Sequence, residues 1–170
     1  MKVGKVAAPE TIDFTIRTPP AEVQKEQQAD GKAPIYIGAT GWSMKPWVGK
    51  WYAPGTKSSG FLEEYGRLFN TIELNTTHYR IPSLEQVDKW CAQVPEDFRF
   101  CPKIPQRISH AKDLGLGSGL IGQTSEAFDR FGPYLGCCFV QLPPYFGFDR
   151  LDLLKLFLEA WPKSLPIAVE

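Results

Sequence analysis

From residue 35 onward the chain keeps one rhythm: short runs rich in β-forming residues, at 35–40, 71–75, 98–103, 136–141 and 167–170, alternate with stretches whose apolar residues recur at helical spacing. A chain patterned this way builds βα units, whose strands pair in parallel while the intervening helices cover the sheet. Phe61, Leu62, Tyr65, Leu68 and Phe69 mark a first helix over about 59–68. Ser83, three residues before Gln86, has the pattern of a capping box and opens a second helix that runs through Val87, Trp90 and Cys91 to about residue 94. A third helix is expected at 124–131, after a long loop. A fourth is expected to be capped by Asp149, with Leu151, Leu154, Leu158 and Trp161 on its apolar face. Pro143 and Pro144 end the fourth β-run, because neither a strand nor a helix interior accepts the pair.

Alternation within the runs separates two faces. Ile72 and Leu74 oppose Thr71, Glu73 and Asn75; Phe98 and Phe100 oppose Arg99, Cys101 and Lys103. Cys138, Val140 and Leu142 oppose Cys137, Phe139 and Gln141, and Ile167 and Val169 oppose Ala168 and Glu170. Each strand thus has one apolar face and one that turns polar toward its C-terminal end. A doubly wound open sheet is covered on both faces, and its strands read as nearly continuous apolar runs. A barrel instead has an interior that opens at a mouth formed by the strand C-termini. The expectation is therefore a TIM-type (β/α) barrel, represented by the first five βα units of eight. The alternative is an open five-stranded doubly wound parallel sheet. Eight-unit barrels usually take about 250 residues, so a chain of 170 residues is expected to be cut off before closure. Residues 1–34 show neither period and are expected to form an N-terminal extension, leaving 35–170 as the partial barrel.

Composition excludes several classes. Basic and acidic residues both number 19, so the overall charge advertises neither nucleic acid nor an anionic membrane. The N-terminus lacks an apolar signal-peptide core and no segment is apolar enough to span a membrane, so a cytoplasmic protein is expected. Cys91, Cys101, Cys137 and Cys138 form no C-x-x-C pair, and His78 and His110 with Glu73 and Glu170 match no metal-ligand spacing. No metal is expected, and the cofactor is left open. Gly117-Ser118-Gly119-Leu120-Ile121-Gly122 matches G-x-G-x-x-G, but no strand immediately precedes it and no acidic residue follows at the required distance.

Glu73, Lys103 and Glu170 carry the chemistry, because charges at strand ends inside an α/β fold are costly to desolvate unless they are paired. Two readings stay open: a mutually neutralising ion network, or an active-site floor with carboxylates for proton transfer and a lysine for an anion. Arg99, Lys103, Arg107, His110 and Lys112 lie in one segment, either to grip phosphate or, for Arg107 and Lys112 above all, as a solvated loop whose basic stems cover apolar surface. Trp42, Trp47, Trp51 and Tyr52 crowd the first loop, either to stack a planar ligand or to pack as a small core of their own.

One ordered string of motifs runs through these positions. It comprises Gly38-x-x-Gly41-Trp42, Tyr52, Phe69-Asn70-Thr71-Ile72-Glu73-x-Asn75-x-Thr77-x-Tyr79, Trp90, Pro95-x-x-Phe98-x-Phe100-x-x-Lys103, Ile108-Ser109-His110, Gln141-Leu142-Pro143-Pro144 and Val169-Glu170. It resembles the DUF72 family of YecE-like bacterial proteins over residues 35–170. The resemblance implies a TIM barrel that continues past the fifth strand into an arginine-containing motif and three further strands. It departs from the family's usual pattern at His78, where phenylalanine is common, and at Ser109, where threonine is common. It implies no particular activity.

The functional expectation is an enzyme acting on a small polar or anionic ligand, such as a sugar phosphate or nucleotide. Glu73, Lys103 and Glu170 are the expected catalytic residues, and Trp42, Asn75, Tyr79, His110 and Gln141 the expected substrate-binding residues. The alternatives are a nucleic-acid-binding or nuclease-like barrel, by analogy of fold alone, and an inactive truncated product.

Overall fold

The structure is a computed structural model and describes residues 34–170; the extension expected over 1–34 falls, but for Pro34, outside them. Five parallel strands form: β1 (Gly38–Ala39), β2 (Thr71–Leu74), β3 (Arg99–Pro102), β4 (Cys138–Val140) and β5 (Ile167–Val169). Six α-helical segments separate or follow them. They are α1 (Phe61–Leu68), the single turn α2 (Thr76–Tyr79), α3 (Leu84–Cys91), the single turn α4 (Gln106–Ser109), α5 (Leu120–Asp129) and α6 (Leu151–Ala160).

β2 lies between β1 and β3 with Gly38 opposite Thr71 and Thr71 opposite Arg99, while β4 pairs with β5 with Cys138 opposite Ile167. Two bridges, Phe100 to Leu135 and Lys103 to Phe139, set β4 beside β3. Gly136 N–H donates to the Phe100 carbonyl at 2.8 Å and Ile104 N–H to the Phe139 carbonyl at 2.8 Å. Between the bridges Cys101 and Pro102 face three residues, Gly136, Cys137 and Cys138, so the ladder carries a bulge there. The strands therefore follow one another in chain order. A doubly wound sheet reverses its order at a switch point, and the described strands show no reversal. The five strands do not close on themselves, and no complete barrel is formed among the described residues.

In β2, β3 and β4 the apolar faces predicted by alternation are the buried ones, whereas in β5 Ile167 is half-buried and Val169 exposed, because β5 is the border strand. Ile72 and Leu74 are 1% exposed, and Phe98, Phe100, Cys138 and Val140 are fully buried beneath the helices. Trp90 of α3 stacks on Phe131 at 6.3 Å and on Phe100 at 6.5 Å, tying α3 and the end of α5 to β3. α1 buries Phe61, Leu62 and Tyr65 and leaves Glu63 and Arg67 outside as an ion pair. Tyr65 also joins helix to sheet: its hydroxyl accepts from Ala39 N–H at 2.6 Å and donates to the Thr71 carbonyl at 3.0 Å. β1 and β2 approach so closely that a Cβ on Gly38 would lie 2.0 Å from the Thr71 carbonyl oxygen, which only glycine permits.

Local details depart from expectation where tertiary contacts decide. Ser83 caps α3 by accepting from Gln86 N–H at 3.3 Å. Asp149 does not cap α6; it sits inside a 3-10 turn, Phe148–Arg150, that leads into the helix. α5 begins at Leu120, four residues before the expected start, after Gly119 turns the chain in the left-handed region at φ 69°. The glycine-rich run is thus a turn into a helix. Asp113 braces it by accepting from the N–H groups of Gly115 and Gly117 at 2.9 and 3.0 Å.

Candidate functional site

The polar face of the sheet surrounds a cleft of about 500 Å³, lined by Thr71, Glu73 and Cys101 from the middle strands, Gly38 from β1 and Ala168 and Glu170 from β5. Glu73 is half-buried, and its Oε1 accepts from the Asn75 side-chain amide at 2.8 Å. Glu170 lines the same cleft but is exposed at its rim. Alternation at the ends of β2 and β5 therefore brings Glu73 and Glu170 to one end of the sheet; Asn75, expected on the same face of the second strand, instead follows β2 in helical conformation (φ −72°, ψ −18°) at the start of α2 and reaches Glu73 from there.

Lys103 follows β3 and is only 9% exposed. Its Nζ donates to the Gln141 side-chain oxygen at 2.7 Å and lies 5.5 Å from the centre of the Phe139 ring. Among the described residues no carboxylate comes within 4.0 Å of it: the ion pairs are Arg67 with Glu63 and Glu64, Arg130 with Asp88, and Lys155 with Asp152. The ion network that was one of the two readings of Glu73, Lys103 and Glu170 is not formed. A buried ammonium bonded to a neutral amide keeps its charge available for something else.

Beside Lys103 stands a group of rings held by α2. Thr77 is fully buried, and its hydroxyl lies 2.7 Å from the Leu74 carbonyl and 2.8 Å from the Lys103 carbonyl, so it pins this turn across the ends of β2 and β3. His78 is consequently placed with its Nδ1 2.9 Å from the Ile104 carbonyl. Its ring meets those of Tyr79 at 5.3 Å and His110 at 5.6 Å, both edge-on. Burial lowers the His78 pKa below the usual imidazole value; the Ile104 contact opposes this, while Lys103 and His110 add to it. His110 is exposed at the end of α4, with its Nδ1 2.9 Å from the Ser109 hydroxyl. Tyr79 is 73% exposed.

Of the expected set, Glu73 and Glu170 line the cleft, Asn75 bonds Glu73, Lys103 bonds Gln141, and Tyr79 and His110 flank His78. Trp42 is placed elsewhere: it packs edge-on against Trp90 at 5.8 Å, and its carbonyl accepts from the Tyr52 hydroxyl at 2.8 Å. The first loop takes the small-core reading, with Trp47 stacked on Trp51 at 5.3 Å and Tyr52 buried; burial pushes the Tyr52 phenol up to about 12. Arg99 is also spent structurally, donating to the carbonyls of Glu96 and Phe98 at 2.9 and 2.8 Å. His78 is the ring that sequence reasoning left outside the site. Its one signal was position, immediately after a threonine that the strand ends would bury.

Burial raises the thiols of Cys91 to about 11 and Cys138 to about 12, which leaves both unreactive. Among the described residues no three acidic, histidine or cysteine side chains gather to hold a metal ion. No helix among them is long and apolar enough to cross a membrane.

A parallel α/β sheet wound in one direction, with polar residues collected at its strand C-termini, defines the class. Residues 36–170 match the family described as "Protein of unknown function DUF72", and the chain belongs to that family. It is similar to the UPF0759 protein YecE of Escherichia coli (strain K12), with 39% identity over 136 residues, covering 80% of this chain and 47% of that protein. It is also similar to the UPF0759 protein YunF of Bacillus subtilis (strain 168), with 30% identity over 128 residues, 75% of this chain and 40% of that one. Among solved structures, a DUF72 family protein from Enterococcus faecalis V583 superimposes with a TM-score of 0.64 at 28% identity, covering 79% of this chain and 49% of that one. Another from Thermotoga maritima MSB8 gives 0.59 at 26%, covering 79% and 55%. The chain thus spans about half the length of the curated relatives it matches.

Proposed function

We propose that the chain supplies the first five βα units of an eight-unit TIM-type barrel, and that its strand-end site binds a small anionic ligand for acid/base chemistry. Sequential parallel strands with the helices on one side and, on the other, a cleft that carries Glu73 and Glu170 support the barrel, as does the half-length match to the relatives. In this reading Lys103 holds the anion, Gln141 orients the ammonium, and Asn75 orients Glu73, which with Glu170 moves protons across the cleft.

The observation that carries the reading is the buried Lys103 ammonium with only a neutral partner. Such a charge is costly to keep dry, and an anionic ligand would offset that cost. A small ligand is favoured over nucleic acid because Arg67 and Arg130, two of the outward basic groups, are already engaged by carboxylates. The test is titration of inorganic phosphate into the protein and into Lys103→Met, followed by calorimetry. Loss of the charge-assisted contact should weaken binding by roughly tenfold or more. Equal affinity for both proteins would refute the assignment.

A further inference from the structure

We infer that His78 is a further proton acceptor beside the Lys103 anion site, in addition to the Glu73 and Glu170 pair, using its Nε2 atom; this rests on the anion-binding reading above. A carbonyl oxygen only accepts hydrogen bonds, so the 2.9 Å contact with Ile104 requires Nδ1 to carry a proton. In the neutral ring Nε2 is then the atom with the free lone pair, and no protein group among the described residues bonds to it. The ring is half-buried, and its direction is set from two sides: Thr77 anchors its turn on both strand ends, and Tyr79 and His110 meet it edge-on.

The titratable groups around it favour the neutral form. Lys103 at the end of β3 and His110 at the end of α4 both oppose a positive charge on His78, as does its burial, while Tyr79 on its own turn is exposed. A base held neutral next to a fixed cation suits proton abstraction from a substrate whose product is an anion. In the step, the Nε2 lone pair forms a bond to hydrogen from an O–H or activated C–H of the substrate. The electron pair of the broken bond stays on the substrate as an oxyanion or enolate facing the Lys103 ammonium. The imidazolium keeps its Nδ1–H on Ile104. The substrate class is therefore a small molecule carrying an acidic hydroxyl or a hydrogen next to a carbonyl.

Long-range proton–nitrogen NMR of the histidine rings tests this without any turnover. His78→Asn, whose amide retains a donor for Ile104, identifies the His78 signals by their disappearance. At pH 7 His78 should be neutral with Nδ1 protonated and Nε2 bare. Inorganic phosphate should move the Nε2 resonance and raise its titration midpoint by about one pH unit. A proton on Nε2 in the neutral ring, or a cationic ring at pH 7, overturns the inference. A phosphate response at the Lys103 ammonium with none at His78 overturns the inference and leaves the anion site standing. No response at either residue overturns both.

Discussion

The site depends on a few residues whose surroundings decide their chemistry. Glu73, Lys103, Gln141 and Glu170 are assigned in the sequence to one face of the sheet by a period of two, and to its end by their place in the strands; Asn75 escapes that rule because the chain turns helical directly after β2. What alternation does not give is which of them pair: Asn75 takes Glu73, Gln141 takes Lys103, and no ion pair joins the charges. The packing of Trp42 was not legible for a related reason, since its loop turns it onto Trp90 of a helix 48 residues later, a contact no local pattern encodes. His78 also makes a prediction of its own. Its pKa is lowered in the folded chain, so between its unfolded value near 6.5 and the lower folded value the unfolded state binds more protons. Stability should be insensitive to His78 above that window and fall as the pH drops through it. Urea unfolding at stepped pH should show this loss in the wild type and a smaller loss in His78→Asn; identical slopes would contradict it.

At the level of elements, the strands and most helices follow from their patterns, and the differences have local causes. α5 starts early because Gly119 supplies the left-handed turn, Asp113 braces the loop before it, and the Ser118 hydroxyl accepts from the Leu120 N–H at 3.3 Å. α6 is entered through a 3-10 turn, which places Asp149 within the turn instead of at the cap position. β4 is shorter than its apolar run because a bulge opposite Cys101 consumes its first residues. Gly136 makes that bulge possible: a Cβ there would lie 2.9 Å from the Cys101 sulfur and 3.1 Å from the Phe100 carbonyl oxygen. Gly136→Ala should therefore destabilise the chain by about 1–3 kcal/mol in chemical denaturation, through crowding of the β3 to β4 junction. A change below a few tenths would mean that the two strands are not coupled as described.

For the whole molecule, the sheet ends in two apolar borders. Ile35 and Ile37 are 78% and 64% exposed before β1, and Val169 is 45% exposed in β5. In the proposed barrel these borders receive the sixth and eighth units, which the relatives' greater length is sufficient to contain. The alternative of a doubly wound sheet loses its basis in the strand order. The parallel α/β class was therefore readable from rhythm and parity, while barrel closure was not, since the five described strands do not close on themselves. The central claim is that Lys103 is kept without a protein counter-charge so that an anion can bind. The measurement that tests it most directly is a crystal structure, grown with phosphate, of this chain joined to the second half of a relative. The expected result is a sixth strand paired to β5, an eighth paired to β1, and a phosphate oxygen within hydrogen-bonding distance of the Lys103 ammonium. A carboxylate from the added strands bonded to Lys103, with no phosphate there, would contradict it.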